Sequence, residues 1–343
     1  MSDIVLKTDH GISRVRIQSG GLATLWKMMK KAHPSSRFVV LTDVSIYRIY
    51  DKEIEKQFPK ALILKIPSGE KQKQMETVMM LAEKMLNEGI TKCDVLIGFG
   101  GGVITDIAGF IASIYMRGMP FVAVPTSLLC MVDAAIGGKN GVDFKAKNIL
   151  GTIYLPELVL IDPMLLEKCP QKYIDCSMGE IVKYAVTLDT GLLRDFRKTP
   201  LNLEKIIKKS VQAKVRVVRQ DLKESHLRKV LNFGHTFGHA IEEKSAYKLS
   251  HGEAISIGMM LANRVAQKLK KQKPSIGEKV EAILKLFHLP TTLPKGMTID
   301  GLVDLMKKDK KRHGKTIDFV IITTLGRTEI ISLTLSQLVK LVK

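Results

Sequence analysis

Nothing in the 343 residues approaches the run of roughly 20 apolar positions that a membrane span needs. Residues 1–21 mix charges throughout and lack the apolar core of a signal peptide. These two absences lead to the expectation of a cytoplasmic protein with no membrane partner. Cysteine is scarce and scattered: Cys93, Cys130, Cys169 and Cys176 contain no Cys-x-x-Cys pair. That spacing argues against a disulfide framework or a thiolate zinc site and leaves reduced packing residues as the expectation. Acidic residues are outnumbered by 54 Lys and Arg to 34 Asp and Glu, a formal charge of +20. Such an excess suits nucleic acid, an acidic surface or a small anionic substrate. The lysine-rich segments 268–273 and 307–315 lack the interleaved aromatics of a single-strand stacking platform. No nucleic-acid partner is therefore expected; most of the charge reads as solvated surface, with a share left to steer a polyanionic substrate.

The length exceeds the usual limit of one hydrophobic core, which points to two domains. The first half alternates short apolar strands with amphipathic helices, the pattern of a parallel sheet with crossover helices. Strands are expected at 38–42, 62–66, 94–99, 121–124 and 158–161. Between them, Met75, Val78, Met79, Ala82, Met85 and Leu86 recur at helical spacing, with Gly89 as the cap, and the methionines read as core. Past Ile161 the texture changes to long helical periods at 177–188, 203–219, 230–244, 254–270 and 276–286, with a late hairpin around Gly326. Pro156, Pro163 and Pro170 punctuate the junction. The expectation is a Rossmann-like α/β domain over residues 1–165 and an all-helical domain over residues 166–343.

The densest chemistry lies between Arg228 and Glu253. Three of the eight histidines, His235, His239 and His251, fall within seventeen residues there. If residues 230–243 are helical, His235 and His239 share one face. A third imidazole from the Ser-His-Gly-Glu turn, with a nearby carboxylate, would make the ligand set of a tetrahedral zinc site with an open position. The residues themselves leave Glu180, Glu242 and Glu253 open as that carboxylate, and Glu180 with Lys183 reads by default as a surface i,i+3 ion pair. In the first half, Gly98-Phe-Gly-Gly-Gly-Val-Ile-Thr-Asp106 leaves a strand and enters a helix, a place where bare backbone can approach a pyrophosphate at a helix amino terminus. A plain tight turn would look similar. The stretch 124–148 sets Asp133, Lys139, Lys147 and Asn148 around a Gly-Gly pair in apolar sequence, and polar groups so placed need partners or a ligand.

Taken together these segments resemble the 3-dehydroquinate synthase family of sugar phosphate cyclases. The resemblance rests on Gly-Gly-Gly-Val-Ile-x-Asp at 100–106, Tyr-Met-Arg-Gly at 115–118, Val-Pro-Thr at 124–126 and Gly-Gly-Lys-x-Gly-Val at 137–142. It continues with Gly-Glu-Ile-Val-Lys-Tyr at 179–184, Leu-Asn-x-Gly-His-Thr-Phe-Gly-His-Ala-Ile-Glu at 231–242 and His-Gly-Glu-Ala at 251–254. The motifs run in family order over nearly the whole chain, and their joint occurrence is far more specific than any one of them.

The resemblance implies an NAD-binding α/β domain and a helical metal domain, usually in a homodimer, with the site in the cleft between the domains. It implies Glu180, His235 and His251 as ligands of Zn2+ or Co2+, with His239 serving the substrate. Asp43, Glu70, Lys73, Gly101, Gly102, Val103, Asp106, Thr126, Ser127, Lys139 and Lys147 match positions around NAD. Asp133, Lys139, Asn148, Lys183, Lys214, Glu224, Arg228, Asn232 and His239 match positions around a phosphorylated sugar acid. Arg117 is implied to reach a neighbouring subunit's site, and Lys310 or Lys311 to complete the phosphate pocket. His239, Lys139 and Asn148 would hold phosphate, and Arg228 and Lys214 carboxylate. The implied reaction takes 3-deoxy-D-arabino-heptulosonate 7-phosphate to 3-dehydroquinate in the shikimate route to aromatic amino acids. It proceeds by transient oxidation, phosphate elimination, re-reduction, ring opening and intramolecular aldol closure. Departures gather on the cofactor side: Ser45, Ser68 and Lys168 stand where the family often has asparagine, aspartate and threonine, and Gly179 and His226 replace a common alanine and glycine. A polyol dehydrogenase of the same fold would not need Lys139, Asn148, Lys183 and Arg228 together, and a cyclase acting on an acid-free sugar would leave Arg228 and Asn232 without a role. A nucleic-acid-binding protein would leave the histidine and glycine motifs unexplained.

Overall fold

The computed structural model describes residues 3–306, 312–313 and 316–343. Lys310 and Lys311, the expected phosphate lysines, lie outside the described residues. The chain forms two compact units, Met1–Cys169 and Pro170–Lys343. The sequence boundary at 165 would have cut the 3-10 segment Pro163–Lys168, whose Leu165 and Leu166 are buried and whose Leu165 carbonyl accepts from the Tyr50 hydroxyl. Among the described residues no helix is long and apolar enough to cross a membrane.

The first unit contains β1 (Ile4–Thr8), β2 (Gly11–Ile17), α1 (Leu22–Ala32), β3 (Phe38–Asp43), α2 (Val44–Gln57), β4 (Leu62–Ile66), α3 (Met75–Asn87), β5 (Val95–Gly100), α4 (Gly102–Ile114), β6 (Phe121–Pro125), the hairpin β7 (Lys139–Phe144) and β8 (Ala146–Ile153), and β9 (Leu158–Ile161). Seven strands make one sheet in the order β1-β2-β9-β6-β5-β3-β4, parallel except for the β1 edge. Its central strands are buried along their whole length, so they read as continuous apolar runs rather than alternations. The chain runs outward from β3 to β4 and returns to the other side of β3 as β5. That reversal opens a crevice at the carboxyl ends of β3 and β5, where Asp43 and Gly100 sit; open α/β sheets take their ligands at such switch points. Asp162, at the end of β9, accepts from the amides of Gly20 (2.9 Å) and Leu22 (3.0 Å) and so fixes the start of α1.

Two core expectations fail here. Met79, expected in the core, is 63% exposed, and Leu86 on the same side of the helix is 59% exposed. Helix α3 buries Thr77, Val78, Leu81 and Met85, and Met79 and Leu86 each lie one residue past that stripe, about 100° round the helix. Cys93 is exposed, not a packing residue, while Cys130 is buried.

The second unit contains α5 (Gln171–Thr187), α6 (Leu192–Asp195), α7 (Leu203–Gln220), α8 (His235–Lys244), α9 (His251–Lys268), α10 (Pro274–Leu286), α11 (Ile299–Met306), β10 (Arg312–His313), β11 (Thr316–Thr324), β12 (Arg327–Thr334) and α12 (Leu335–Val342). It is helical but not all-helical: β10, β11 and β12 form an antiparallel sheet whose β11–β12 hairpin turns at Gly326. The single helix expected over 230–243 is broken. A 3-10 turn, Leu227–Asn232, is followed by Gly234 at φ 80°, and α8 begins only at His235. Glycine is required at 234 because of that left-handed φ and because a Cβ would lie 2.9 Å from the Ile255 carbonyl oxygen.

Helices α6 and α7 are tied by charge. The buried Asp195 carboxylate receives the ammonium groups of Lys205 at 2.6 Å and Lys209 at 2.5 Å. These two bonds hold its pKa down, to about 2 from an ordinary 3.8. A carboxyl lowered on folding stabilises the fold above its unfolded pKa and loses that contribution as the pH falls toward its folded one. Asp195→Asn is therefore expected to lower the urea midpoint at neutral pH, and the gap from wild type should close as the pH is taken from about 4 toward 2. A gap independent of pH would exclude the charge as its source.

Candidate active site

Backbone meets backbone where α5, α8 and α9 come together. A Cβ at Gly252 would stand 1.6 Å from the Cys176 carbonyl oxygen, and one at Gly179 would stand 2.4 Å from the Gly252 carbonyl oxygen. On the other side of α9, a Cβ at Gly258 would meet the Gly234 carbonyl oxygen at 2.0 Å, and one at Gly238 would meet Ile255 Cδ1 at 2.5 Å. Glycine at these positions lets the three helices approach closely enough for short side chains to share one point. The Gly179 departure thus has a local reason: α9 lies against it.

At that point Glu180, His235 and His251 each offer one ligand atom, all within 4.8 Å of one another. Glu180 Oε1 lies 3.3 Å from His235 Nε2 and 3.4 Å from His251 Nε2. The other nitrogen of each ring is already placed: His235 Nδ1 is 3.2 Å from the Phe233 carbonyl oxygen, and His251 Nδ1 is 3.3 Å from Glu242 Oε2. With Nδ1 donating to those oxygens, both Nε2 lone pairs turn toward the Glu180 carboxylate. Converging lone pairs on a fully buried carboxylate need a cation, so the donor set fits a divalent metal with imidazole and carboxylate ligands. A proton can fill the need in part. Burial pulls the His251 pKa down, but Glu180 and Glu242 together outweigh it and push it up to about 9.

The three candidate carboxylates therefore separate by position. Glu180 joins the imidazoles, Glu242 orients His251 from behind, and Glu253 closes a capping box with Ser250 that starts α9 at His251. His239 is exposed, its ring centroid 5.3 Å from that of His235 and 6.1 Å from that of His251, outside the ligand group. Among the described residues of this unit three lysine or arginine side chains are buried: Lys183, Lys214 and Arg228. The Lys183 ammonium donates to Glu180 Oε2, the Arg228 Nη1 donates to the Leu222 carbonyl at 2.5 Å, and the Asn232 amide donates to Glu224 Oε1. Burying a cation is costly, and for Lys183 the Glu180 carboxylate offsets that cost.

In the first unit, Gly101 caps α4 and no acidic residue stands in its first turn, which leaves the helix amino terminus receptive to an anion. A Cβ at Gly101 or Gly102 would meet nothing closer than 3.7 Å or 3.5 Å. The chain's own packing does not demand glycine there; the bare backbone is available to a ligand. Thr126, just past β6, is buried with its hydroxyl unbonded, while its amide donates to the Gly100 carbonyl at 2.9 Å. Both features fit a pyrophosphate over the Gly101–Val103 turn. Lys73 is buried and its ammonium reaches Asp106 Oδ2 and Asn148 Oδ1, each at 2.5 Å. Asn148, an expected phosphate ligand, thus shares the Lys73 ammonium with Asp106, two residues expected around NAD, and is held at φ 55° by its amide's 2.7 Å bond to Asp143 Oδ1. Lys147 lies 3.6 Å from Glu70, and Ser127 borders Gly101.

At the β3 end, Asp43 caps α2 through the Ser45 and Ile46 amides, and the Ser68 hydroxyl reaches both Asp43 Oδ1 (2.5 Å) and Ser45 Oγ (2.8 Å). The Ser45 and Ser68 departures thus form one hydroxyl pair on Asp43. Lys168 turns aside, pairing with Glu53 at 2.5 Å. Asp133 is half-buried in a π-helical turn, Cys130–Ala134, and Lys139 and Arg117 are exposed. Glu242, open in the sequence as a ligand, instead orients His251, and Asp143 and Asp221 take positions the sequence left unassigned; an acidic residue shortly before a turn or a helix start was the only signal for these two.

Residues 63–176 match the family model for the 3-dehydroquinate synthase N-terminal region, and residues 177–312 match that for its C-terminal region. The 3-dehydroquinate synthase of Pyrococcus abyssi is 42% identical over 314 residues, covering 90% of this chain and 93% of that protein. That of Latilactobacillus sakei is 36% identical over 335 residues, with 94% and 93% covered. Among solved structures, 2-deoxy-scyllo-inosose synthase complexed with carbaglucose-6-phosphate, NAD+ and Co2+ superposes with a TM-score of 0.89 at 22% identity, covering 99% of each chain. The 2-epi-5-epi-valiolone synthase of Streptomyces hygroscopicus, with NAD+ and Zn2+ bound, gives 0.86 at 27%, covering 96% and 95%. A probable glycerol dehydrogenase of Sinorhizobium meliloti shares the fold at 0.66 and 15%, covering 96% and 94%. Matched by both family models and by relatives this similar over nine-tenths of its length, the chain belongs to the 3-dehydroquinate synthase family.

Proposed function

We propose that the chain converts 3-deoxy-D-arabino-heptulosonate 7-phosphate to 3-dehydroquinate and phosphate, as an NAD- and divalent-metal-dependent lyase and cyclase. The observation that carries this reading is the buried group Glu180, His235 and His251 in a unit that also buries Lys183, Lys214 and Arg228. When bound, NAD supplies a hydride acceptor that is restored within the turnover, and Zn2+ or Co2+ supplies a Lewis acid. Glu180 Oε1 and the Nε2 atoms of His235 and His251 would hold the ion, with Glu242 fixing the His251 ring. Lys183 balances the Glu180 charge. Arg228 offers a planar fork to the substrate carboxylate, with Lys214 as a second cation. His239, outside the ligand group, is assigned to the phosphate. The amides of Gly101, Gly102 and Val103 are assigned to the NAD pyrophosphate, with Asp43 at the adenosine ribose. Catalysis by the protein then consists mainly of orientation and charge placed beforehand.

We also assign a homodimer in which Arg117 serves the neighbouring subunit. Arg117 is exposed at φ 67° between Met116 at φ 47° and Gly118 at φ 121°, and the flanking Ile114 and Met116 are 42% and 43% exposed. Exposed apolar residues around a charge held in so unusual a backbone suit an interface better than open solvent.

Metal analysis should find one divalent ion per wild-type chain, and His235→Ala should lose it together with all activity; a full equivalent retained would refute the ligand assignment. Followed at the absorbance of reduced nicotinamide, turnover should need NAD yet accumulate no NADH while phosphate appears in step with product. Stoichiometric NADH from a polyol, with no phosphate released from the heptulosonate, would make the protein a dehydrogenase. Subunits carrying Arg117→Ala and Lys183→Ala, each inactive alone, should regain about a quarter of wild-type activity when reassembled together, because half the dimers then contain one intact site. If reassembly restores nothing, Arg117 acts within its own chain or not at all.

A further inference from the structure

Helix α7 ends on a carboxylate, an unfavourable sign for a helix carboxyl terminus. Asp221 is that C-cap, and its oxygens are fully engaged by the chain that follows. Oδ1 accepts from the Ser225 amide at 2.9 Å; Oδ2 accepts from the His226 amide at 2.7 Å and the Arg228 amide at 2.9 Å. Burial raises the Asp221 pKa, but the three amides outweigh it and hold the carboxyl below its ordinary value. The turn so closed carries Glu224 in the left-handed region at φ 62°. It also presents the Leu222 carbonyl to which the buried Arg228 guanidinium donates. Arg228 is therefore held at both ends by one turn: its own amide on Asp221, and its guanidinium on a carbonyl whose position that turn sets.

We propose that Asp221 is a positioning residue that aims the Arg228 fork at the substrate carboxylate and so sets selectivity for a sugar acid. The inference rests on the reading of Arg228 given above. Asp221 touches neither substrate nor cofactor in this role; its influence passes through Arg228. An asparagine cannot replace it, because whichever way the amide is turned, its NH2 group faces at least one of the three backbone N–H donors.

The test uses the metal- and NAD-loaded enzyme and two phosphonate analogues of the substrate, one with the carboxylate and one without, with binding measured by calorimetry. Asp221→Asn should weaken the acid-bearing analogue by about tenfold or more, the order expected for a misaligned charge-assisted bond, and change the acid-free one by less than about twofold. Metal content should remain at one equivalent. Arg228→Lys should lower the same ratio of affinities, and the double variant should lower it no further, since two residues acting through one contact are not additive. Equal weakening of both analogues by Asp221→Asn, or full additivity with Arg228→Lys, overturns the proposal while leaving the Arg228 reading intact. If Arg228→Lys leaves the ratio unchanged, the Arg228 reading falls and this proposal with it. Should the asparagine variant fail to fold, Asp221→Ser, which keeps one short acceptor for the turn, is held to the same outcomes.

Discussion

The contact of bare backbone between α5, α8 and α9 governs the second unit. Glu180, His235 and His251 come from three helices, and none of these side chains is long. They can converge only if the helix axes lie closer than side-chain packing ordinarily permits, and Gly179, Gly234, Gly238, Gly252 and Gly258 remove the atoms that would prevent it. The capping box of Ser250 and Glu253 and the left-handed Gly234 then fix where α9 and α8 begin, so that His251 and His235 are each the first residue of a helix.

Charge placement follows from that geometry. The fully buried Glu180 faces two imidazole nitrogens on one oxygen and the Lys183 ammonium on the other, and the rings are kept from turning away by the Phe233 carbonyl and by Glu242. The rings and the carboxylate are thus oriented by the chain's own groups, which is the condition under which electrostatic stabilisation costs little at the moment of reaction. The first unit uses a different device. Its helix α4 begins at glycines where a Cβ would meet no more than ordinary contacts, beside the unbonded Thr126 hydroxyl, and its first turn holds no acidic residue to compete with an anion for the helix amino terminus.

Much of this was legible in the chain because it was written in periodicity and in adjacent residues. Five of the six parallel strands appeared as short apolar runs, and β4 and β9 begin and end where expected, whereas β2, interrupted by Arg14 and Arg16, gave no such run. The histidine cluster was visible from spacing alone, yet spacing could not choose among Glu180, Glu242 and Glu253, since the choice depends on which helix face lies against which. The same limit explains the errors. Met79 and Leu86 fit a helical period as well as Val78 and Met85 do, and only the packed neighbour decides which stripe is buried. The break between Asn232 and His235 arises from a close approach to Ile255, more than twenty residues away, which no local propensity encodes. Asp143, Asp221 and Glu242 act through backbone amides or a ring nitrogen, and such partners have no signature in side-chain pattern.

The glycine contact also constrains how this sequence can drift. With Gly179 and Gly252 each pressed on the other helix's main chain, the residue at 179 and the placement of α9 are not independent characters. A change of Gly179 to alanine requires α9 to stand farther off, and on this background it is harmful. The order in which substitutions are acquired therefore matters more than their individual chemistry, and a single replacement at 179 or 252 is a step across an epistatic ridge.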